Sequence, residues 1–445
     1  NLIKIAEIPT VLHISQGEDI GLPENQSERN RHNANIHTED WDGNGILNGN
    51  EDMDGDNRLD KNLGVAGRGI VVGVHDGDVR SHPDLNISRN VGGTSASGST
   101  HATAVAGIIG ASGRNGLDGS PVDASKSERG HAPASQIHDK EGSYTSSELN
   151  AIDTGLVNIF NRSQTVDRNG LYSTSGSRIH DQIVNGEAGN HPIPYALSAG
   201  NGGLSRNNNN QQWGFFAQSK QTKNGIVVGN LRTDTDLRNS SSLGPFYDGR
   251  IAPTLSADGS SVVTTTFSGG DFEYQDSGSG TSYASPAVAG TGALMLEAYR
   301  DLYLEQYGLN LISQAPLPSL IKAALVNTAE DINAAQKASD ELIDDAGTDG
   351  QTEEATIGPD YLTGFGRLNT AAAVELIQQR RADDDGFNHP TGFIQGTIGD
   401  SQYTDYEFIV DQEWIDSRPN DHALKITLAW DDPASNAFNP SSGLA

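Results

Sequence analysis

The chain has no cysteine. That excludes disulfides, thiol catalysis and cysteine-ligated zinc or iron–sulfur sites, and it leaves the redox compartment open. Cationic side chains are scarce, with 29 Lys+Arg against 59 Asp+Glu and a formal net charge of -30 over 445 residues. A surface of that sign repels nucleic acid and anionic lipid and suits calcium or a salty medium, so polyanionic partners are set aside. No apolar stretch approaches the length of a membrane span. The chain opens at Asn1 with neither an initiator methionine nor a signal-peptide pattern. It therefore reads as a processed product, which points to a secreted protein, expected to be monomeric.

At roughly 100–200 residues per domain the length suggests two domains. Residues 1–64 are polar, rich in Asn and Asp and hardly periodic, and read as an extension. From Gly69 the text changes. Ile70–Val74 is a short β-branched run suited to a strand buried on both faces, and similar runs recur at Val157–Phe160, Tyr195–Leu197 and Ile226–Val228. Helical patterns lie between and after them at Ala102–Ile109, Ser146–Leu156, Tyr283–Tyr303, Leu317–Thr328 and Thr370–Gln379. This alternation predicts an α/β fold, a parallel central sheet flanked by helices, over residues 65–380. Ligand groups then gather at the carboxyl ends of the strands. Arg206–Gln212 and Ser339–Glu354 read as surface loops. Residues 381–390 form a linker, after which the period becomes two. Tyr406–Val410 and Leu424–Trp430 read as antiparallel strands of a β-sandwich over residues 391–445, incomplete because such sandwiches need about 100 residues.

The run Gly280–Gly290 sets Ser282 where a glycine turn enters an alanine-rich helix. The free N–H groups and positive dipole of a helix N-terminus would stabilise an oxyanion formed there. Read alone, the run is equally an ordinary capped helix. A serine nucleophile needs a base and a group to orient that base. His101 stands at the entry of another small-residue helix, in Ser99–Gly107, and Asp76 follows the buried run Ile70–Val74. A carboxylate there can accept the far N–H of an imidazole and hold its tautomer. Asn201, in Ala199-Gly200-Asn201, ends another strand and can donate its side-chain amide to an oxyanion.

These segments resemble the subtilisin-like serine proteases, or subtilases, in which the chain order is Asp, His, Ser. The likeness covers about residues 65–380 and rests on GTSYASPAVAG, HATAVAG, the strand-Asp-Gly run with HPDL, and SAGN, which fall in family order. It implies Ser282 as nucleophile, His101 as general base and then acid, Asp76 as its orienter and Asn201 as oxyanion donor. The C-terminal LKITLAWDDP resembles the β-sandwich appended to some large extracellular subtilases. Three departures stand out. Gly77-Asp78 follows the aspartate where Ser/Thr-Gly is usual, which makes Asp78 a rival orienter. Ala104 replaces a second, non-catalytic histidine. The strand that pairs with substrate usually ends in Ser-x-Gly, whereas Ser163-Gln164-Thr165 lacks the glycine; Gln164 and Thr165 would narrow or polarise the entrance. Gly200 joins these three as a substrate-binding position, and main-chain pairing with an extended peptide needs only backbone groups.

Upstream, Asp40–Glu51 fits the calcium-loop pattern D-x-[DN]-x-[DN]-G-x₅-E at every fixed position. Oxygens of Asp40, Asp42, Asn44 and Glu51 and the carbonyl of Ile46 would hold Ca²⁺, with Gly45 making the turn. Asp52, Asp54, Asp56 and Asp60 repeat the carboxylate spacing, as in the aspartate loops that dockerin and thrombospondin type-3 repeats carry. The expectation is a secreted, calcium-stabilised serine endopeptidase acting on protein or peptide substrates through an acyl-enzyme. The alternatives are an inactive subtilase-fold binding protein and a serine esterase.

Overall fold

The run at Ile70–Val74 becomes strand β1 (Val71–His75), whose Val72 and Val74 are wholly buried because both sheet faces are covered. A computed structural model describes residues 64–90, 98–113, 129–139, 156–164, 176–189, 191–202, 220–233, 236–246, 248–268, 271–276, 278–303, 311–332, 358–378, 392–398 and 425–435. The strands continue as β2 (Ile87–Asn90), β3 (Gln136–Asp139), β4 (Ile159–Arg162), β5 (Tyr195–Ser198), β6 (Ile226–Thr233), β7 (Asp236–Leu237) and β8 (Leu255–Asp258). All of these pair in parallel except β7, which runs antiparallel to β6. The sheet order is β2-β3-β1-β4-β5-β6, with β8 and β7 both on β6. A two-stranded ribbon, β9 (Val263–Ser268) with β10 (Asp271–Asp276), lies off the sheet.

The chain leaves β1 first toward β2 and β3 and later returns to its other side at β4. Strand order therefore reverses at β1, and the crevice outside the carboxyl ends of β1 and β4 is where an open α/β sheet binds its ligand. The helices are α1 (Thr100–Gly110), α2 (Ser177–Val184), α3 (Thr281–Tyr303), α4 (Leu311–Gln314), α5 (Pro318–Thr328) and α6 (Thr370–Gln378). Side chains of α1, α3, α5 and α6 share one large core with Val72, Ile159, Ala196 and Val228 of the sheet. On the opposite face α2 packs Ile179, Ile183 and Val184 against Phe160, Tyr195 and Leu197. Alternation along β4 divides the faces: Ile159 joins the first core and Phe160 the second.

Helix α3 is the centre of the molecule, buried without interruption from Thr281 to Tyr299. Its small residues permit this. A Cβ built on Gly290 would stand 2.6 Å from the Cβ of His131, so only glycine fits there. Farther along, the buried Glu297 carboxylate accepts the backbone N–H groups of Ala66, Gly67 and Arg68 at 2.7, 2.5 and 2.9 Å and pairs with the Arg68 guanidinium at 3.0 Å. That carboxylate fastens the turn leading into β1 to the helix bearing Ser282.

Where sequence and structure differ, pairing partners explain it. Strand β6 continues to Thr233 because β7 and β8 both bond to it. The expected helix Ser146–Leu156, apart from its last residue, the loops 206–212 and 339–354, the linker 381–390, the strand Tyr406–Val410 and the whole acidic region Asp40–Asp60 lie outside the described residues. Of the expected sandwich, residues 392–398 and 425–435 are described and form no strand; those of the second stretch lie against the helices. They run as an extended strap over α5 and the end of α2. Asn327 Nδ2 donates to the Lys425 carbonyl, and Asn224 both donates to the Asp432 carbonyl at 2.7 Å and accepts its N–H at 2.9 Å. Leu317 offers no side-chain cap to α5, and Asp431 supplies one by accepting the Ser319 N–H at 3.1 Å. Beneath the strap Lys322 is half-buried and donates to the carbonyls of Lys223 and Gly225. Burial first, and then the Arg250 charge, bring its pKa down to about 8 against the pull of Asp181, Asp431 and Asp432.

Glu297→Ala would leave three converging N–H groups and a guanidinium without their acceptor. The expected loss is roughly 3–5 kcal/mol in urea unfolding; a midpoint unchanged from wild type would refute this account of the turn.

Candidate active site

Ser99 begins the site. Its side chain accepts the Ala102 N–H at 3.2 Å and so caps α1, and its own N–H donates to the Asp78 carbonyl at 2.7 Å. The segment after β1 is bonded to the start of α1 a second time, through Arg80 N and Thr103 Oγ1 at 3.0 Å. These two ties bring Asp76 and His101 together. His101 Nδ1 lies 3.0 Å from Asp76 Oδ1, which also accepts the Gly77 N–H at 2.7 Å. Asp76 Oδ2 is buried and has no hydrogen-bond partner among the described residues. The rival Asp78 is buried and engages α1 through its carbonyl; among the described residues the hydrogen bond of His101 is to Asp76. The imidazole rests near the Tyr283 ring, with centroids 5.7 Å apart, beside Ser282 in the chain. Burial pulls the His101 pKa down, but the hydrogen bond and charge of Asp76 outweigh it, and the net shift is upward.

Ser282 stands in the first turn of α3, where backbone N–H groups have no intrahelical acceptor. The turn before it is locked to the end of β5. Asn201 Oδ1 accepts both the Thr281 N–H at 2.9 Å and the Thr281 hydroxyl at 3.0 Å, and Thr281 Oγ1 accepts the Gly200 N–H at 3.0 Å. Two donors on Oδ1 fix the amide orientation and leave Nδ2 as the outward-facing donor. Gly200 takes φ 114°, a left-handed conformation open to glycine, and its carbonyl accepts the Ser242 N–H at 2.9 Å. The Ser242 hydroxyl accepts the Gly202 N–H at 3.0 Å and completes the support of that turn.

Helix α3 contains Pro286, which has no N–H to offer the carbonyl four residues earlier, that of Ser282. Ser163 makes up the loss: its hydroxyl donates to the Ser282 carbonyl at 2.8 Å. Asn161 extends the link, with Nδ2 donating to Ser163 Oγ at 3.1 Å and Oδ1 accepting the Ser285 hydroxyl at 2.7 Å. The end of β4 is thus stapled to the first turns of α3. The buried Lys220 ammonium joins the ends of β4 and β5 by donating to the Arg162 carbonyl at 3.3 Å and Ser198 Oγ at 3.2 Å. Gln164 is half-buried near Gly77, and Thr165 lies outside the described residues.

The structure therefore gathers Asp76, Ser163, Gly200 and Asn201 after the carboxyl ends of β1, β4 and β5, with His101 and Ser282 at the starts of α1 and α3. The metal-loop residues Asp40 to Asp60 are outside the described residues, and among the described residues no cluster of three metal-ligating side chains occurs. Sequence reasoning did not single out Thr281, Ser242, Asn161 or Ser285 as site supports. Asn161 did carry a signal, as an amide in a strand otherwise suited to burial. The arrangement can take a proton from a serine, steady the resulting imidazolium and donate hydrogen bonds to an oxyanion.

A parallel sheet in this order, with such a crevice, belongs among the subtilisin-like serine endopeptidases. More particularly, the chain belongs to the subtilase family, whose model matches residues 67–366. It is 26% identical to subtilisin Savinase of Lederbergia lenta over 279 residues, 60% of this chain and 91% of that one. Alkaline protease of Shouchella clausii is 26% identical over the same length, 65% of that protein. Thermostable alkaline protease of Halalkalibacterium halodurans is 30% identical over 249 residues, covering 54% of this chain and 60% of that one. Among solved structures, a serine protease of Aeromonas sobria aligns at 19% identity and a TM-score of 0.48, covering 72% of this chain and 62% of that one.

His101 can act as a base only when neutral, so activity should rise with pH through an apparent pKa above the ordinary 6.5. Asp76→Asn removes both upward influences and leaves burial alone. Its kcat/KM profile should shift to lower pH while kcat falls by roughly 10⁴; an unshifted profile would count against the pair.

Proposed function

We propose that this protein is a secreted serine endopeptidase that cleaves peptide bonds by acyl transfer through Ser282, with His101 as base and acid, Asp76 as orienter and Asn201 as oxyanion donor. The observation that carries this reading is the Asp76–His101 hydrogen bond at 3.0 Å, with the imidazole leaning on the residue next to Ser282. His101 takes the Ser282 proton as Oγ attacks the carbonyl carbon, then gives it to the leaving amine. Asp76 holds the tautomer and offsets the imidazolium charge, and a water activated by His101 releases the acyl group. The oxyanion receives Asn201 Nδ2–H and the N–H groups at the start of α3. The substrate is an extended peptide lying beside Ser163, Gln164 and Thr165, with Gly200 on the facing turn. The catalytic domain is proposed to occupy residues 65–380.

A second reading, a binding protein that keeps the fold without cleaving, draws on one observation: Ser282 Oγ is bonded to the Ser163 carbonyl and not to His101. One experiment separates them. A serine-directed sulfonyl fluoride should label Ser282, located by mass spectrometry, in a protein that digests a denatured protein substrate. Absence of both label and digestion in calcium-replete buffer would leave the binding protein as the reading. Labelling and ester hydrolysis without peptide cleavage would favour an esterase. Asn201→Ala should lower kcat by roughly 10²–10³ with KM little changed, a figure that is subtilisin's own for loss of that donor.

The loops from Asp40 to Asp60 are proposed to hold Ca²⁺ in oxygen-only shells, supplied by Asp40, Asp42, Asn44, the Ile46 carbonyl and Glu51, and then by Asp52, Asp54, Asp56 and Asp60. An ion bound only by the folded chain stabilises it by mass action. Adding a chelator should lower the melting midpoint, with recovery on adding back calcium; an unchanged midpoint would rule out a stabilising ion.

A further inference from the structure

Lys220 is a wholly buried cation that acyl transfer at Ser282 does not use. Its ammonium donates to the Arg162 carbonyl at 3.3 Å and to Ser198 Oγ at 3.2 Å. Arg162 with Leu197 is the last ladder pair of β4 and β5. Beyond it the strands part, since the Gly200 N–H goes to Thr281 Oγ1 at 3.0 Å and not to β4, while Ser163 bonds to Ser282. The ammonium therefore lies at the root of a fork, and the nucleophile stands over its mouth. The segment that carries Lys220 is fixed in place. Asp181 Oδ1 accepts the Thr222 hydroxyl at 2.5 Å and the N–H groups of Lys223 and Asn224 at 2.9 Å each. Arg250 holds the carbonyls of Gln221 and Thr222 at 3.0 and 2.9 Å.

An acyl donor poised for attack has its carbonyl carbon about 3–3.5 Å from Ser282 Oγ. The side chain of the residue that supplies this carbonyl is then the substrate group nearest the fork. One strand residue, about 3.3 Å, separates Arg162 from Ser163, and Ser282 Oγ is 3.0 Å from the Ser163 carbonyl. A side chain two or three bonds long, roughly 2.5–4 Å, carries its terminal group down toward Ser198 Oγ. That hydroxyl accepts from Lys220, so the proton it offers is its own, and a carboxylate is the acceptor that a hydroxyl polarised by an ammonium favours. The formal net charge of -30 opposes an acidic substrate from outside. Exposed charges are screened beyond about 8–10 Å at moderate salt, whereas a buried ammonium is screened much less, so at the fork the local cation prevails.

Resting on the reading of Ser282 as nucleophile, we propose that Lys220 is a specificity-determining residue. The fork receives an acidic side chain, glutamate or aspartate, on the residue whose carbonyl is attacked. Its carboxylate takes the Ser198 hydroxyl with the Lys220 charge behind it, and neither group touches the reacting atoms. Scission then falls after acidic residues. The same ammonium repels a lysine or arginine side chain, and a neutral amide of equal size gains nothing from the charge.

The test uses the full chain and blocked tripeptide p-nitroanilides that differ only in the last residue, Glu, Gln, Leu or Lys, in about 0.5 M NaCl to screen the acidic surface. Glu against Gln isolates charge at constant size. Values of kcat/KM should favour Glu by at least about tenfold. Lys220→Met should abolish that preference and Lys220→Arg should keep it. Wild-type enzyme that cleaves after Gln or Leu as readily as after Glu overturns the assignment and leaves the protease reading standing, whatever the variants do. A preference for Glu that survives in Lys220→Met, shown to be folded by circular dichroism, overturns it as well. Cleavage after none of the four residues overturns the endopeptidase reading on which the assignment rests.

Discussion

The close seat of α3 against the sheet sets the geometry of everything at the catalytic end. A helix buried from Thr281 to Tyr299 has no solvent face on which to adjust. Its first turn is consequently placed by the strands beneath it. Glu297 fixes its far half through the turn before β1, and Thr281, Ser282 and Ser285 fix its near half through β5 and β4. Ser282, the Asn201 turn and the end of β4 are thus referred to one rigid body, which is what holding reacting groups to fractions of an ångström requires.

Proline inside this helix has a chemical use. Pro286 withholds one N–H, and the carbonyl it frees belongs to Ser282. An orphaned carbonyl on a buried residue such as Ser282 would be costly. Ser163 resolves it and binds Ser282 to the neighbouring strand in the same contact. Satisfaction of the orphaned carbonyl and placement of the first turn of α3 are here a single hydrogen bond.

The strands β1, β4, β5 and β6 and the helices α1, α3, α5 and α6 were legible from the chain because β-branched runs and small-residue helices write burial directly into sequence, whereas β2, β3, β7 and β8 were not. Asp76, His101, Asn201 and Ser282 were legible because each sits at a strand end or helix start with neighbours that resemble a family. Choosing between Asp76 and Asp78 needed coordinates, since both are short-range candidates and the turn between them decides which carboxylate meets the ring. Asn161 with Ser285, and Glu297 with residues 66–68, were not legible, because each pair is distant in sequence and no periodicity encodes it. The C-terminal run shows a third situation. Its period of two is real: Ile426, Leu428 and Trp430 face outward at 64%, 79% and 64% exposure. The face between them, however, meets α5 and not a neighbouring strand, as the contact of Thr427 with Asn327 illustrates. Pattern specifies a face but not what the face touches.

The strap of residues 425–435 gives the polypeptide an order of completion. Helix α5 packs Leu320, Ile321, Ala324 and Leu325 into the larger core, yet the carboxylate that caps its start arrives from Asp431, more than a hundred residues later in synthesis. Until that stretch emerges and docks on Asn224 and Asn327, the helix start exposes an unanswered N–H and Lys322 remains without its overlying acidic neighbours. The enzyme's final packing is thus deferred to a late event in its own biosynthesis, and a chain cut short before the strap would carry the whole crevice on an unfinished scaffold.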